Sequence, residues 1–215
     1  MPRSPALACI VLVAFARVLA ADVAFKLNDT KAAPVGDAVV SLVPLDAPAK
    51  LAPPAEPVEL SQSAQEFSAY VTPVVAGTTV VLPNRDSVAH QVYSLSPAKK
   101  FTFPLYKPGT EGTVVFDQPG VVVLGCNIHD WMSAYVVVVA TPWFARTDRD
   151  GAATLANVPP GRYRAEIWQP RLAKTETREV TVAAEGATPP VTLTLTLKPD
   201  RRIRRAPTAG GGGYK

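Results

Sequence analysis

Proline and glycine interrupt this chain so often that little room is left for a helix. Its 215 residues include 22 Pro and 13 Gly. Between them run short stretches rich in Val and Thr, and no stretch sustains an apolar period of 3.6. An all-β fold is the expectation. Candidate strands lie at 22–27, 38–43, 67–72, 77–82, 88–94, 113–116, 121–124, 134–139 and 191–197, with a further alternating run around Tyr163, Ala165 and Ile167. Residues 134–139 are apolar on both faces, so they belong in the middle of a sandwich. Residues 191–197 alternate apolar residues with Thr, the pattern of a strand with one wet face. Pro119-Gly120 and residues 148–151 and 157–161 read as turns. The Asp148–Asp150–Gly151 turn lacks the distal Glu of a calcium loop, so a plain turn is expected.

Residues 1–21 read as a secretory signal. Arg3 opens it, an apolar run covers 6–16, and Val18-Leu19-Ala20 offers a small-residue cleavage site. The run is shorter than the roughly 20 apolar residues a spanning helix needs, and Arg17 closes it. No later stretch is apolar enough to span a bilayer. The expected location is the bacterial periplasm or the outside. Residues 47–60 hold four prolines and read as a surface linker. Residues 200–215 are basic, then Gly-rich, and read as a disordered tail. Of 22 Lys and Arg, two fall in the leader and six in the last 18 residues. That leaves 14 in the body against 17 of the 18 acidic residues. A mildly acidic body excludes the basic face of a nucleic-acid binder.

The scarcest residue types converge. Beyond the leader the chain has one Cys, one Met and two His. Cys126, His129 and Met132 share one loop, with two residues between each pair, and His90 stands 36 positions before Cys126. One Cys forms no internal disulfide, and an exported lone thiol oxidises unless it is buried or bound. Thiolate, imidazole and thioether together suit copper in both oxidation states. Three other readings remain open here. Cys126 and Met132 could simply pack beside an incidental His. The metal could be zinc, although a thioether is a poor zinc ligand. Cys126 and His129 could form a thiol catalyst, although no third orienting residue is marked. Both His lie in this set, so no second His-built metal cluster can be assembled for enzyme chemistry.

Residues 61–141 resemble the cupredoxins, small blue-copper electron carriers. The likeness lies in His90-Gln91-Val92, Pro119-Gly120 and the loop through Met132, whose ligand spacing is similar to that of the amicyanin and plastocyanin type. The run from His90 to Asp148 is also similar to exported proteins labelled methylamine-utilisation proteins. The resemblance implies a Greek-key β-sandwich and one type 1 copper, with His90, Cys126 and His129 equatorial and Met132 axial. It implies a non-enzymatic, exported electron-transfer protein linked to amine oxidation, with a dehydrogenase and a c-type cytochrome as redox donor or acceptor. A copper-trafficking or structural accessory module is the alternative. Gln91 stands where cupredoxins commonly carry the Asn that ties the two ligand loops together. Ile128 and Asp130 replace prolines beside His129, and Trp131 follows as a lid or a surface aromatic.

Residues 142–199 resemble the small sandwich of carboxypeptidase-regulatory or transthyretin-like domains, in the "TDRDG" turn, the "NVPPGRY" turn and a Trp-bearing strand. The first two strands of such domains look like residues 22–46. Those residues are therefore expected to complete this immunoglobulin-like second sandwich, with the cupredoxin segment inserted between its strands. The rival arrangement uses 22–46 as the opening strands of an enlarged cupredoxin.

Overall fold

A computed structural model describes residues 20–184 and 187–202. Most of the signal expected at 1–21, and the tail beyond Arg202, lie outside the described residues. Every regular element described is a strand, and no described helix is long and apolar enough to cross a membrane.

The chain opens with β1 (Ala21–Asp29) and β2 (Val39–Pro44). Ten strands follow: β3 (Val58–Glu59), β4 (Gln62–Ser63), β5 (Glu66–Phe67), β6 (Val71–Val75), β7 (Thr78–Pro83), β8 (Val92–Ser96), β9 (Lys99–Thr102), β10 (Glu111–Phe116), β11 (Gly120–Cys126) and β12 (His129–Val139). The last five are β13 (Phe144–Arg146), β14 (Ala152–Val158), β15 (Gly161–Trp168), β16 (Glu176–Val182) and β17 (Val191–Leu195).

These strands build two β-sandwiches. In the first, β1 runs between β14 and β17, facing a sheet ordered β13-β2-β15-β16. The opening strands thus pair with the closing ones: Phe25 lies opposite both Ala153 and Val191, and Val40 opposite Ala145 and Ile167. Alternation explains the faces. Val23, Phe25 and Leu27 point inward to meet Leu42, Leu155, Ala165 and Ile167 in one core. The turn 148–151 is closed by protein groups. The Asp148 carboxylate accepts from the N–H groups of Asp150 and Ala152.

The second sandwich is formed by residues 58–139. A sheet ordered β10-β7-β3 faces a five-stranded sheet ordered β6-β12-β11-β8-β9. Its core includes Leu60, Leu82, Phe116, Leu124, Val136 and Cys126. Pro73 sits in β6, the outer strand of its sheet, where the missing donor breaks no ladder. Strand β12 is internal, as its double apolar face implies. Ala134, Val136 and Val138 enter this core, while Val137 and Val139 turn the other way. There they join Val39 and Val71, with Tyr70, Tyr135, Phe144 and Trp168 packed around them, and this apolar joint holds the sandwiches together.

Three sequence expectations shift. The strand expected at 67–72 is two pieces, because the chain leaves β5, the partner of β4, before Val71 joins β12. The Pro-rich linker is shorter than 47–60. After Pro57, β3 pairs with β7, and Leu60 is fully buried. The strand expected at 88–94 starts only at Val92, so His90 precedes it.

Candidate metal centre

His90 is held by a clasp rather than a ladder. Its N–H donates to the Tyr106 carbonyl (3.0 Å) and its carbonyl accepts from the Tyr106 N–H (2.9 Å). The Asn84 side-chain amide donates to Val88 O (2.9 Å) and Tyr106 O (3.3 Å), closing the loop that leads in. Regular pairing in the sheet begins only two residues later, at Val92. The His90 imidazole has 0% of its surface exposed.

The two His90 nitrogens face different partners. Nε2 lies 3.1 Å from Asp86 Oδ2, and Nδ1 lies 3.7 Å from Cys126 Sγ. Burial pushes the Asp86 carboxyl up. The Gln65 N–H at 2.6 Å and the His90 ring outweigh that and hold it below its ordinary value. An ionised carboxylate only accepts, so Nε2 carries the proton and the Nδ1 lone pair is free to bind a metal. Asp86 is only 9% exposed. Its support comes from the hairpin between β4 and β5, where Ala64 and Gln65 both have positive φ (51° and 56°). That strained turn points the Gln65 N–H at Asp86, and the Gln65 carbonyl accepts from Trp131 Nε1 at 3.1 Å.

Strand β11 delivers Cys126, 4% exposed, to the end of the second core. Regular pairing with β12 breaks there: Gly125 lies opposite Ser133, whereas Cys126 lies opposite His129. The irregularity places Asp130, Trp131 and Met132 in a bulge. His129 Nδ1 lies 3.6 Å from Cys126 Sγ, and its ring centroid is 5.0 Å from that of His90. Burial, and then the nearby His90, hold the His129 imidazole below its ordinary value, which favours the neutral, ligating form. Met132, 2% exposed, follows the inward face of β12 into the core that holds Cys126.

Both Nδ1 atoms thus approach the Cys126 sulfur, and one ligand atom from each of His90, Cys126 and His129 lies within 4.8 Å of the others. Ligand bonds of about 2.0–2.3 Å, as at zinc, set at trigonal angles would place N and S about 3.7 Å apart. The spacing therefore fits a metal held by two imidazoles and a thiolate, a donor set suited to copper, and Met132 is buried in the same core as Cys126.

Gln91 restores the expected link between the ligand loops by another route. Its carbonyl accepts from the Asn127 N–H (3.0 Å), and its side-chain Oε1 accepts from Asn127 Nδ2 (3.0 Å). The residue after Cys126 supplies the amide that the residue after His90 does not. Trp131, half-buried, packs beside His129, with ring centroids 5.4 Å apart. Tyr106 adds a second layer. Its hydroxyl donates to Gln62, and burial together with Cys126 pushes its acidity down.

Sequence reasoning missed Asp86 and Gln65. The signal for Asp86 was a carboxylate four positions before a scarce His. Gln65 acts through its backbone, so its side chain gave no sign. Outer carboxylates on ligand His residues typically govern metal affinity by about 10–100-fold. Asp86→Asn is expected to weaken copper binding within that range, as measured by competition with a chromogenic chelator. An unchanged affinity would make the His90–Asp86 contact incidental.

Comparison with known proteins bears on parts of the chain. A family model described as polysaccharide lyase family 4, domain II, matches residues 139–189. No curated protein matches. Among solved structures, similarity is found to a purple cupredoxin from Nitrosopumilus maritimus, at 26% identity over 38% of this chain and 99% of that one, with a TM-score of 0.34. A copper-containing nitrite reductase from Thermus scotoductus is similar at 25% identity over 45% of this chain, with a TM-score of 0.38, and only 25% of that enzyme is covered. A reduced amicyanin variant is similar at 20% identity over 46% of this chain and 98% of that one, with a TM-score of 0.37.

Proposed function

We propose that the protein is an exported electron-transfer protein with one mononuclear type 1 copper, held by His90, Cys126, His129 and Met132. The observation that carries this reading is the convergence of a ring nitrogen from each His and the Cys126 thiol within 4.8 Å at one end of a β-sandwich. Copper bound there would supply a one-electron couple. The protein's part is to hold the ligands still. His90 is locked between Asp86 and Tyr106, Cys126 is buried at a strand end, and Asn127 is tied to Gln91. Ligands fixed this way resist rearrangement when the metal changes charge, which keeps electron transfer fast. His129 is the half-exposed member, so an electron would enter and leave through its ring edge.

On this reading the protein is a carrier and not an enzyme, because both His of the exported chain are spent on one site. Its partners would be redox proteins such as a dehydrogenase and a c-type cytochrome, and a link to amine oxidation follows from the amicyanin-like ligand spacing. The apolar run and small-residue site at 1–21 support export to the periplasm or beyond.

The test is reconstitution of the exported chain with Cu(II). The expected results are an intense visible band at about 600 nm, the region of a thiolate bound to copper in a His₂Cys site, and a reversible one-electron wave. A colourless complex would overturn the reading. Metal held only as Cu(I), and lost readily to a chelator, would mark a copper-delivery module.

A further inference from the structure

Where the two sandwiches meet, the surface opens into a cleft of about 610 Å³. Its aromatic wall comes from the second sandwich: Tyr70, Trp131 and Tyr135. Tyr70 and Tyr135 meet edge to face at 5.3 Å. The opposite rim comes from the first sandwich and the chain beyond β17, and it is cationic. Arg171, Lys198, Arg201 and Arg202 line it, against two acidic residues, Asp130 and Asp200.

This rim is built by hydrogen bonds. Lys198 N–H donates to the Arg171 carbonyl (2.9 Å), and Arg171 Nε donates to the Lys198 carbonyl (2.7 Å). The Arg202 N–H donates to the Asp200 carboxylate (2.9 Å), and the Arg202 guanidinium lies over the Tyr70 ring, 3.6 Å from its centroid. A guanidinium stacked on an aromatic face keeps its in-plane donors free for a carboxylate. Burial, reinforced by Tyr135, pushes the Tyr70 hydroxyl up to about 12. At neutral pH it therefore remains a donor.

We propose that this cleft binds a planar aromatic carboxylate, with its ring against Tyr135 and Trp131 and its anionic end held by Arg202, stacked on Tyr70, and the cations beside it. The volume matches a small-molecule site. Aromatic faces without cations would suit a neutral ring, and cations without aromatic faces would suit any anion. Only their combination selects both features in one ligand. Trp131 has His129 as its other neighbour, so the ligand would rest one aromatic ring away from the Cys126 loop. Binding itself requires nothing of that loop.

Calorimetric titration of the metal-free full chain tests this, so a failure of copper to bind leaves the outcome readable. With 4-hydroxybenzoate as the probe, saturable one-to-one binding is expected. The uncharged 4-hydroxybenzyl alcohol should bind at least about tenfold more weakly, since a charge-assisted contact is lost. Arg202→Gln should cost a similar factor, while Arg178→Gln, on β16 and away from the cleft, should leave binding unchanged. Equal binding of the alcohol, or insensitivity to Arg202→Gln, would overturn the proposal. So would full competition by inorganic phosphate, which marks a simple anion patch. Poly-glutamate binding without 4-hydroxybenzoate binding would assign the cleft to an acidic protein surface instead, and the proposal would fall.

Discussion

Cys126→Ala is expected to abolish the visible band of the copper-loaded protein and to reduce Cu(II) affinity far more than loss of an outer-shell partner, which typically costs about 10–100-fold. In the proposed site the thiolate would be the strongest and only anionic ligand, and its bond to copper would be the source of the colour. The substitution should leave the fold intact. Cys126 is small and sits at a strand end, so the void left by one sulfur is slight, and β11 keeps its partners β8 and β12. Absorption and circular dichroism on the same sample check both halves. A band that survives the change would show that colour, and copper, reside elsewhere.

Gly151→Ala carries the largest expected effect on stability. Gly151 has φ of +75°, and a Cβ there would lie 2.3 Å from the Leu27 carbonyl oxygen and 2.9 Å from the Val35 nitrogen. Those two atoms are hydrogen-bonded to each other, and the Leu27 N–H donates to the Gly151 carbonyl. A methyl group would pry apart the point where β1, the β1–β2 connection and the 148–151 turn meet. Backbone strain of about 1–3 kcal/mol and overpacking of a similar size, about 1–3 kcal/mol, give an expected loss of about 2–6 kcal/mol in urea unfolding. Gly109→Ala provides the comparison. Its φ is +76°, yet nothing lies within 4 Å of the added carbon, so only the backbone cost should appear. Equal losses in the two variants would mean that the contact at Leu27 is not resisted.

The site was more legible than the fold around it, for physical reasons. Cys126, His129 and Met132 are neighbours in sequence because they share one hairpin, and scarcity singled out His90. The pairing of 22–46 with the closing strands was suggested by the likeness of those residues to the opening strands of transthyretin-like domains, and the structure places β2 between β13 and β15. Strands β9 and β16 gave no signal. Lys99-Lys100 and the Glu176–Glu179 stretch are charged and exposed, as befits strands at sheet edges, where one side meets water. His90 was placed on a strand because Val88, His90 and Val92 alternate in the sequence, yet the strand begins only at Val92. Only the bridge to Tyr106 shows that the regular sheet has not yet begun. The cleft was illegible, because its two walls come from segments that meet only once both sandwiches exist.

That arrangement also sets an order of events in folding. Phe25 must await Ala153 and Val191, and Val40 must await Ala145 and Ile167. Until the ribosome has delivered the closing strands, β1 and β2 have bare edges and unburied Val, Phe and Leu. The segment from β3 to β12 carries all its own partners and can fold while it waits. Such long-range closure is slow and exposes strand edges to other chains. Early truncation after β12 should therefore yield a chain whose intervening sandwich is formed and whose first two strands recruit a neighbour.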